Sequence, residues 1–315
     1  MSRPNTIFGG GLIGTSFTTP VQVQELLDKL KALKIDRIDT AARYSPTNPG
    51  SSERLLGEVR AAEQGFTIDT KINSGGSASS DGSGSLTAAA INKSIDESFN
   101  RLKVDKVDIL YFHRPDPQTP IAEQAAEIQR QYLAGRFEKF GLSNFPPELL
   151  AEFLAVCEKE DYIKPSVYQG LYNLLSRQSE KSLFPLLRQH GIAFYAYSPL
   201  AGGFLTGRAT RGDVEGTRYA ADNQIAKNMN AMYDKPDMHE AMTDLLDTIE
   251  PLQISGSEAC LRWLYYHSIL RESDGVILGA SKVPQIVQNA NDVSKGLLPL
   301  EVVHKIDTLW EKIRS

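Results

Sequence analysis

Four side chains stand where short, β-rich apolar runs of this sequence end. "RIDTAARY" puts Asp39 at the end of one run and Tyr44 in the loop beyond it, "FTIDTK" ends on Lys71, and "VDILYFHRP" ends on His113. A phenol has an ordinary pKa near 10, a poor match to proton donation at neutral pH. A lysine ammonium beside it favours the phenolate and is expected to lower that pKa. Asp39 can keep Lys71 charged and aimed through a charge-assisted hydrogen bond. His113 can donate to a carbonyl oxygen and turn it toward the phenol. The set lacks an electron donor, because no side chain supplies a hydride. Singly, each residue has a plainer reading: a turn cap, a solvated lysine, a tyrosine packed over a loop, a core histidine. Their convergence on one face of a fold is what those plainer readings leave unexplained.

The elements that must position them follow from the pattern of the chain. "TIFGGG", "RIDT", "FTIDTK", "VDILYFH", "FEKFGLS", "SVYQG", "AFYAYS" and "GVILGAS" read as eight strands. Helical periodicity fills the intervals. Val23, Leu26, Leu30 and Leu33 share a face after Pro20, which suits a first helical position. Ile91, Ile95, Phe99 and Leu102 repeat in the same way, as do Ile121, Ala125, Ile128 and Tyr132 before a stop at Gly135. This alternation predicts an α/β fold with a parallel sheet, and the count suits a closed (β/α)8 barrel, the TIM barrel, formed by one domain over residues 1–315. An open doubly wound sheet satisfies the same alternation, since strand order is not legible in one sequence. Two segments break the rhythm: a Gly/Ser-rich loop at 72–87, and a long polar insertion after the seventh strand at about 205–254. Loops after barrel strands build the active-site face, so either can cover a ligand.

Near the start, Gly9, Gly11 and Gly14 spell G-x-G-x-x-G, with Asp36 about 20 positions further on, the outline of a dinucleotide fingerprint. In that fingerprint the last glycine opens directly into a helix whose N-terminus faces phosphate. Here "TSFTTP" intervenes and the helix waits for Pro20. The glycines are better read as a barrel strand and its loop.

Composition narrows the partners. The chain has 315 residues and a formal net charge of −5, with no basic stripe. Nucleic acid and anionic membranes are therefore not expected partners. No run of about 18 apolar residues occurs. The opening "MSRPNT" lacks the apolar core of a signal peptide. Cys157 and Cys260 match no metal or redox spacing and read as free thiols in a reducing compartment, so a cytoplasmic protein without a metal is expected.

With "DTAARY", "TK", "YFHRP", "GLSNF", "VYQGLYN", "YSPLAGGFLTGR" and "VILGASKVPQIVQN" in order, the sequence resembles the aldo-keto reductase superfamily, NADPH-dependent carbonyl reductases on a (β/α)8 barrel. "PSVYQGLYN" and "YSPLAGGFLTGR" are most similar to its aflatoxin-aldehyde reductase branch. The resemblance implies Tyr44 as general acid, assisted by Lys71 and Asp39, with His113 orienting a small-molecule carbonyl substrate. It implies that Ser143, Asn144 and Gln169 hold the nicotinamide carboxamide and that Tyr197 stacks on the ring. Ser198, Pro199, Leu200, Gly202, Gly203 and Arg208 would wrap the pyrophosphate, and Arg218 would add a second cation. Gly279, Ser281, Lys282, Gln285, Gln288 and Asn289 would hold the adenosine end of NADPH.

Two departures matter. Gly279 and Gln285 stand where many members place the lysine and arginine that grip the 2′-phosphate. Asn228 and Ala231 fall roughly where the branch has a tyrosine and a carboxylate-binding arginine, and Arg314 has no secure counterpart. A preference for acidic aldehydes is therefore not implied. The alternative on the same fold is a cofactor-bound accessory subunit resembling potassium-channel β subunits. A homo-oligomer is compatible with either.

Overall fold

The computed structural model describes residues 3–45, 48–73, 84–221, 223 and 226–313. The Gly/Ser-rich stretch expected as a loop lies mostly outside the described residues, as does Arg314. Eight parallel strands form the frame: β1 (Asn5–Gly9), β2 (Arg37–Asp39), β3 (Thr67–Ile72), β4 (Val107–Phe112), β5 (Phe137–Ser143), β6 (Val167–Leu171), β7 (Ala193–Tyr197) and β8 (Gly275–Gly279). Each pairs with its sequence neighbour, and β1 pairs with β8 from Asn5↔Gly275 to Gly9↔Gly279, closing the barrel. Closure excludes the open doubly wound sheet.

The two-residue period of a strand separates two cores. Ile7, Ile109, Tyr111, Val167, Tyr195 and Ile277 pack together inside the barrel. The neighbouring positions Phe8, Ile38, Leu110, Phe112, Phe140, Phe194 and Leu278 face outward, into the larger core shared with the helices. Room inside is scarce. A Cβ on Gly141 would lie 2.3 Å from the ring of Tyr111.

Helices α1 (Pro20–Ala32), α2 (Ser51–Glu58), α3 (Ala88–Leu102), α4 (Ile121–Leu133), α5 (Pro147–Lys159) and α6 (Ser179–Gln189) fill the crossovers. The first begins at Pro20, where Thr19 and Gln22 complete a capping box. Gly14 sits in a turn with φ 91° well before it, so the glycine run opens no helix. In α4, Ile121, Ala125 and Ile128 are buried as their spacing predicts. Tyr132 is the exception; it is 39% exposed and lies at the edge, beside Phe137.

The insertion after β7 is more ordered than a polar loop. A 3-10 turn (Ala201–Thr206) leads to α7 (Ala226–Tyr233) and α8 (Pro236–Ile249), and the latter buries Met238, Met242, Leu245 and Leu246. The barrel resumes with α9 (Gly256–Tyr266), and α10 (Val283–Ser294) and α11 (Leu300–Ile313) complete the chain. Among the described residues no helix is long and apolar enough to cross a membrane. Cys157 and Cys260 are free and buried.

The α2–α3 contact sets how the segment carrying Tyr44 is held. A Cβ on Gly57 would lie 2.0 Å from the Arg101 carbonyl oxygen. Backbone cannot yield as a flexible side chain can, so Gly57→Ala should cost about 3 kcal/mol. Thermal denaturation should show Tm lower by about 4–5 °C. An unchanged Tm would contradict the seating of α2 on α3.

Candidate active site

Because neighbouring strands run parallel around a closed barrel, their C-terminal ends share one rim. That rim carries Gly9, Asp39, Ser143, Tyr197 and Gly279 as last residues of β1, β2, β5, β7 and β8. Lys71 and Gln169 lie near the ends of β3 and β6, and His113 directly follows β4. All four proton-transfer candidates therefore meet, from segments up to about seventy residues apart in sequence.

Lys71 is the hub. Its side chain has no exposed surface, and Nζ donates to both oxygens of Asp39 at 2.7 and 2.6 Å, to the Thr40 carbonyl at 2.8 Å and to Tyr44 Oη at 3.2 Å. Nζ also lies 4.7 Å from the centre of the Tyr44 ring. Burial pulls the ammonium's pKa down, but Asp39 and Tyr44 outweigh it and the net shift is upward. Gln169 Nε2 donates to Asp39 Oδ1 at 2.8 Å, steadying the carboxylate from the far side of the barrel. His113 meets Tyr44 edge to face, with ring centres 5.9 Å apart. Burial first, then the positive charges of Lys71, Arg114 and Arg43, push the imidazole well below its ordinary range, so at neutral pH it is uncharged with one N–H to give.

One expectation is corrected. Lys71 does lower the Tyr44 pKa, but burial raises it by more and Asp39 adds to the rise, so the phenol lies above its ordinary value. A proton donor loses nothing by this. The phenol is protonated throughout the neutral range, and the ammonium is in place to stabilise the phenolate as it forms.

The other sequence candidates divide by location. Asn144, with φ 62°, donates to the His113 carbonyl at 2.9 Å and to Ser143 Oγ at 3.1 Å, and accepts from Tyr197 Oη at 2.8 Å. Ser143, Asn144, Gln169 and Tyr197 thus flank the Tyr44–Lys71 contact. After β7 the backbone turns through left-handed conformations at Ser198, Ala201, Gly202 and Gly203, beyond Pro199 and Leu200. Arg208 points its guanidinium at Asp213, at 2.7 and 2.9 Å, on the surface. Arg218 is half-buried, its pKa lowered by burial and opposed by Tyr219 and Tyr44. Around the start of α10, Gln285 Oε1 accepts from Ser281 N at 2.8 Å, Ser281 Oγ at 3.1 Å and Lys282 N at 3.2 Å. Gln288 donates to Asp292 at 2.8 Å, and Asn289 is buried. At Gly279 an added Cβ would meet only the Gly9 carbonyl, at 3.9 Å, so the strand ends leave open space there.

Sequence reasoning missed the residues that hold the segment after β7. Asn173 is fully buried and donates to the Ser198 carbonyl at 3.0 Å and to Tyr233 Oη at 3.1 Å. Tyr219 Oη donates to the Ala201 carbonyl at 2.5 Å. Nothing local marks these roles; only the motif "VYQGLYN" contains Asn173. A cavity of ≈ 500 Å³ beside Tyr197 is lined by Leu171, Ser198, Met229, Ala231, Met232 and Tyr233. Ala231 contributes a methyl group to an apolar wall there.

One rim of the barrel therefore gathers a buried lysine, its carboxylate, a phenol and a neutral histidine. The Aldo/keto reductase family profile matches residues 6–311, and the chain belongs to that family. It is 36% identical over 299 residues to the oxidoreductase sirO of Leptosphaeria maculans, covering 94% of this chain and 88% of that protein. It is 35% identical over 289 residues to human aflatoxin B1 aldehyde reductase member 2, covering 88% and 78%. It is 33% identical over 296 residues to an aldo-keto reductase of Pseudocercospora fijiensis, covering 92% and 97%.

The Asp39–Lys71 pair makes a stability prediction. Lys71→Met leaves Asp39 2% exposed with no counter-charge. It should cost about 3–5 kcal/mol in chemical denaturation. The double variant Asp39→Leu/Lys71→Met removes both charges and should be clearly more stable than the single one. Equal stabilities would mean that the two charges are not coupled.

Proposed function

We propose that this protein reduces an aldehyde or ketone to the alcohol using NADPH, with Tyr44 as general acid. The observation that carries the reading is the Lys71 ammonium, held by both oxygens of Asp39 and 3.2 Å from the Tyr44 hydroxyl.

The donor set suits the cofactor. A carboxamide needs both donors and acceptors, which the Ser143 hydroxyl and the Asn144 and Gln169 amides provide. Phosphate is favoured by the N-terminus of α10, where Ser281, Lys282 and Gln285 stand beside the open space at Gly279. Arg218 is the better-placed pyrophosphate cation, since Arg208 would first have to release Asp213. When bound, NADPH supplies the hydride that no side chain carries.

The side chains supply the rest. His113 donates its one N–H to the carbonyl oxygen and turns it toward Tyr44. Tyr44 Oη gives its proton to that oxygen as charge develops there. Lys71 stabilises the resulting phenolate, and Asp39 keeps Lys71 charged. The apolar wall of Met229, Ala231 and Met232 favours a substrate with little charge beyond the carbonyl.

Mixing the protein with NADPH and a panel of aldehydes and ketones, and following loss of the reduced cofactor's absorbance, tests the reaction. Tyr44→Phe should lower kcat by about 10²–10⁴-fold while NADPH still binds, because the ring remains and only the proton is lost. A near-normal kcat would exclude Tyr44 as the donor.

The phosphate grip is tested separately. Lys282 is the one cation in "GASKVPQIVQN". A charge-assisted contact is worth about 1.5–3 kcal/mol. Lys282→Ala should therefore weaken NADPH binding about tenfold or more and leave NADH nearly unchanged, as read by fluorescence titration. Equal losses for both cofactors would point to a disturbed loop, and no loss would move the phosphate to other donors.

A further inference from the structure

Beneath the Asp39–Lys71 pair lies a second ion pair, with a buried carboxylate and a half-buried guanidinium, that the reaction does not require. It joins the same two strands, one inward-facing step deeper. Arg37 precedes Asp39 by two residues on β2, and Asp69 precedes Lys71 by two on β3, so the alternation of each strand turns all four into the barrel. Arg37 Nη1 donates to Asp69 Oδ1 at 2.7 Å, and the Ile109 amide donates to the same oxygen at 3.2 Å. The polarity is reversed: β2 carries the cation below and the carboxylate above, and β3 the opposite. Arg37 also reaches Asp108 Oδ2 at 2.7 Å, and Lys139 lies 3.6 Å from that oxygen.

We propose that Arg37 and Asp69 are positioning residues for Tyr44, a counter-oriented ion pair that sets the field in which the Lys71–Tyr44 contact works. The proposal rests on the reading of Tyr44 as proton donor.

Three observations support it. Asp69 has no exposed side-chain surface, and its Oδ2 has no hydrogen-bond partner among the described residues. Tyr111, inward on β4, has an equally buried and unpartnered hydroxyl, and its ring centre is 5.8 Å from Lys71 Nζ. Successive inward positions on a strand are roughly 7 Å apart, a separation over which charges in a buried site still interact.

Several charged or titratable groups face Asp69. Arg37 and Asp39 come from β2, Asp108 and Tyr111 from β4, and Tyr195 from β7. Burial raises the Asp69 carboxyl to about 7, against the pull of Arg37 and with Asp39 and Asp108 adding to the rise. Asp69 is thus ionised at the alkaline pH where Tyr44 titrates.

The test is electrostatic in sign. Asp69→Asn preserves the shape and removes one negative charge while Arg37 keeps Asp108, so the Tyr44 phenol should titrate about one pH unit lower. Arg37→Met leaves a carboxylate in excess and should move it up. The double variant should return toward the wild type. Asp108→Asn, near the surface, should shift it down by less and serves if a buried variant fails to fold. The readout is tyrosinate absorbance, taken as the difference from the Tyr44→Phe counterpart in each background, together with the alkaline limb of kcat.

Opposite shifts of the two single variants would establish the pair's role. Shifts in the same direction, or none, in protein that melts normally would overturn it. Loss of the wild type's carbonyl reduction would strike the functional reading alone, because the absorbance titration needs no substrate.

Discussion

The site depends on keeping one ammonium charged in a place without water. Lys71 is fully buried, and an unpaired lysine there would shed its proton rather than bear the cost of desolvation. Asp39 prevents this with two short contacts, and Gln169 and the Thr40 carbonyl complete the surroundings. Asp39 and Thr40 come from the end of β2 and Gln169 from β6. The charge therefore exists only while β2, β3 and β6 are held in one barrel, and the loop carrying Tyr44 is anchored to that charge.

Electrostatics then divides the labour between the two polar rings. Tyr44 and His113 touch edge to face, yet the same cation acts on them differently. Burial and then Lys71 hold His113 uncharged at neutral pH, with one N–H to give. Toward Tyr44 the lysine acts as stabiliser of an anion not yet formed, because burial keeps the phenol protonated. Two adjacent groups with separated proton affinities are what an orienting group and an acid require.

The segment after β7 shows how a wall is built from residues with no chemistry of their own. Asn173, Tyr219 and Tyr233 fix the backbone near Ser198 and Ala201, while Phe204 stacks on Tyr233 with ring centres 5.9 Å apart. This aromatic support holds a stretch with several left-handed residues in one shape. Arg208, by contrast, is spent on Asp213, a local pairing that competes with any ligand.

By itself the sequence determined the eight strands, the helices between them and the four residues at the strand ends. Those features are written in local periodicity: apolar residues every second position, or every third and fourth, and polar residues where a strand stops. The late helix start at Pro20 was legible in the same way, and it removed the glycine run from consideration. Three matters were decided only by tertiary structure. Pairing of β1 with β8 closes the barrel, and no local pattern encodes a contact between residues 5 and 275. The direction of the Tyr44 shift depends on how deeply the ring is buried, which outweighs the lysine that its sequence context suggested. The Arg37–Asp69 pair was hidden among strand residues, because parity shows that a side chain points inward but not which charge it meets there. Burial and long-range pairing arise from closure, and closure is a property of the whole chain.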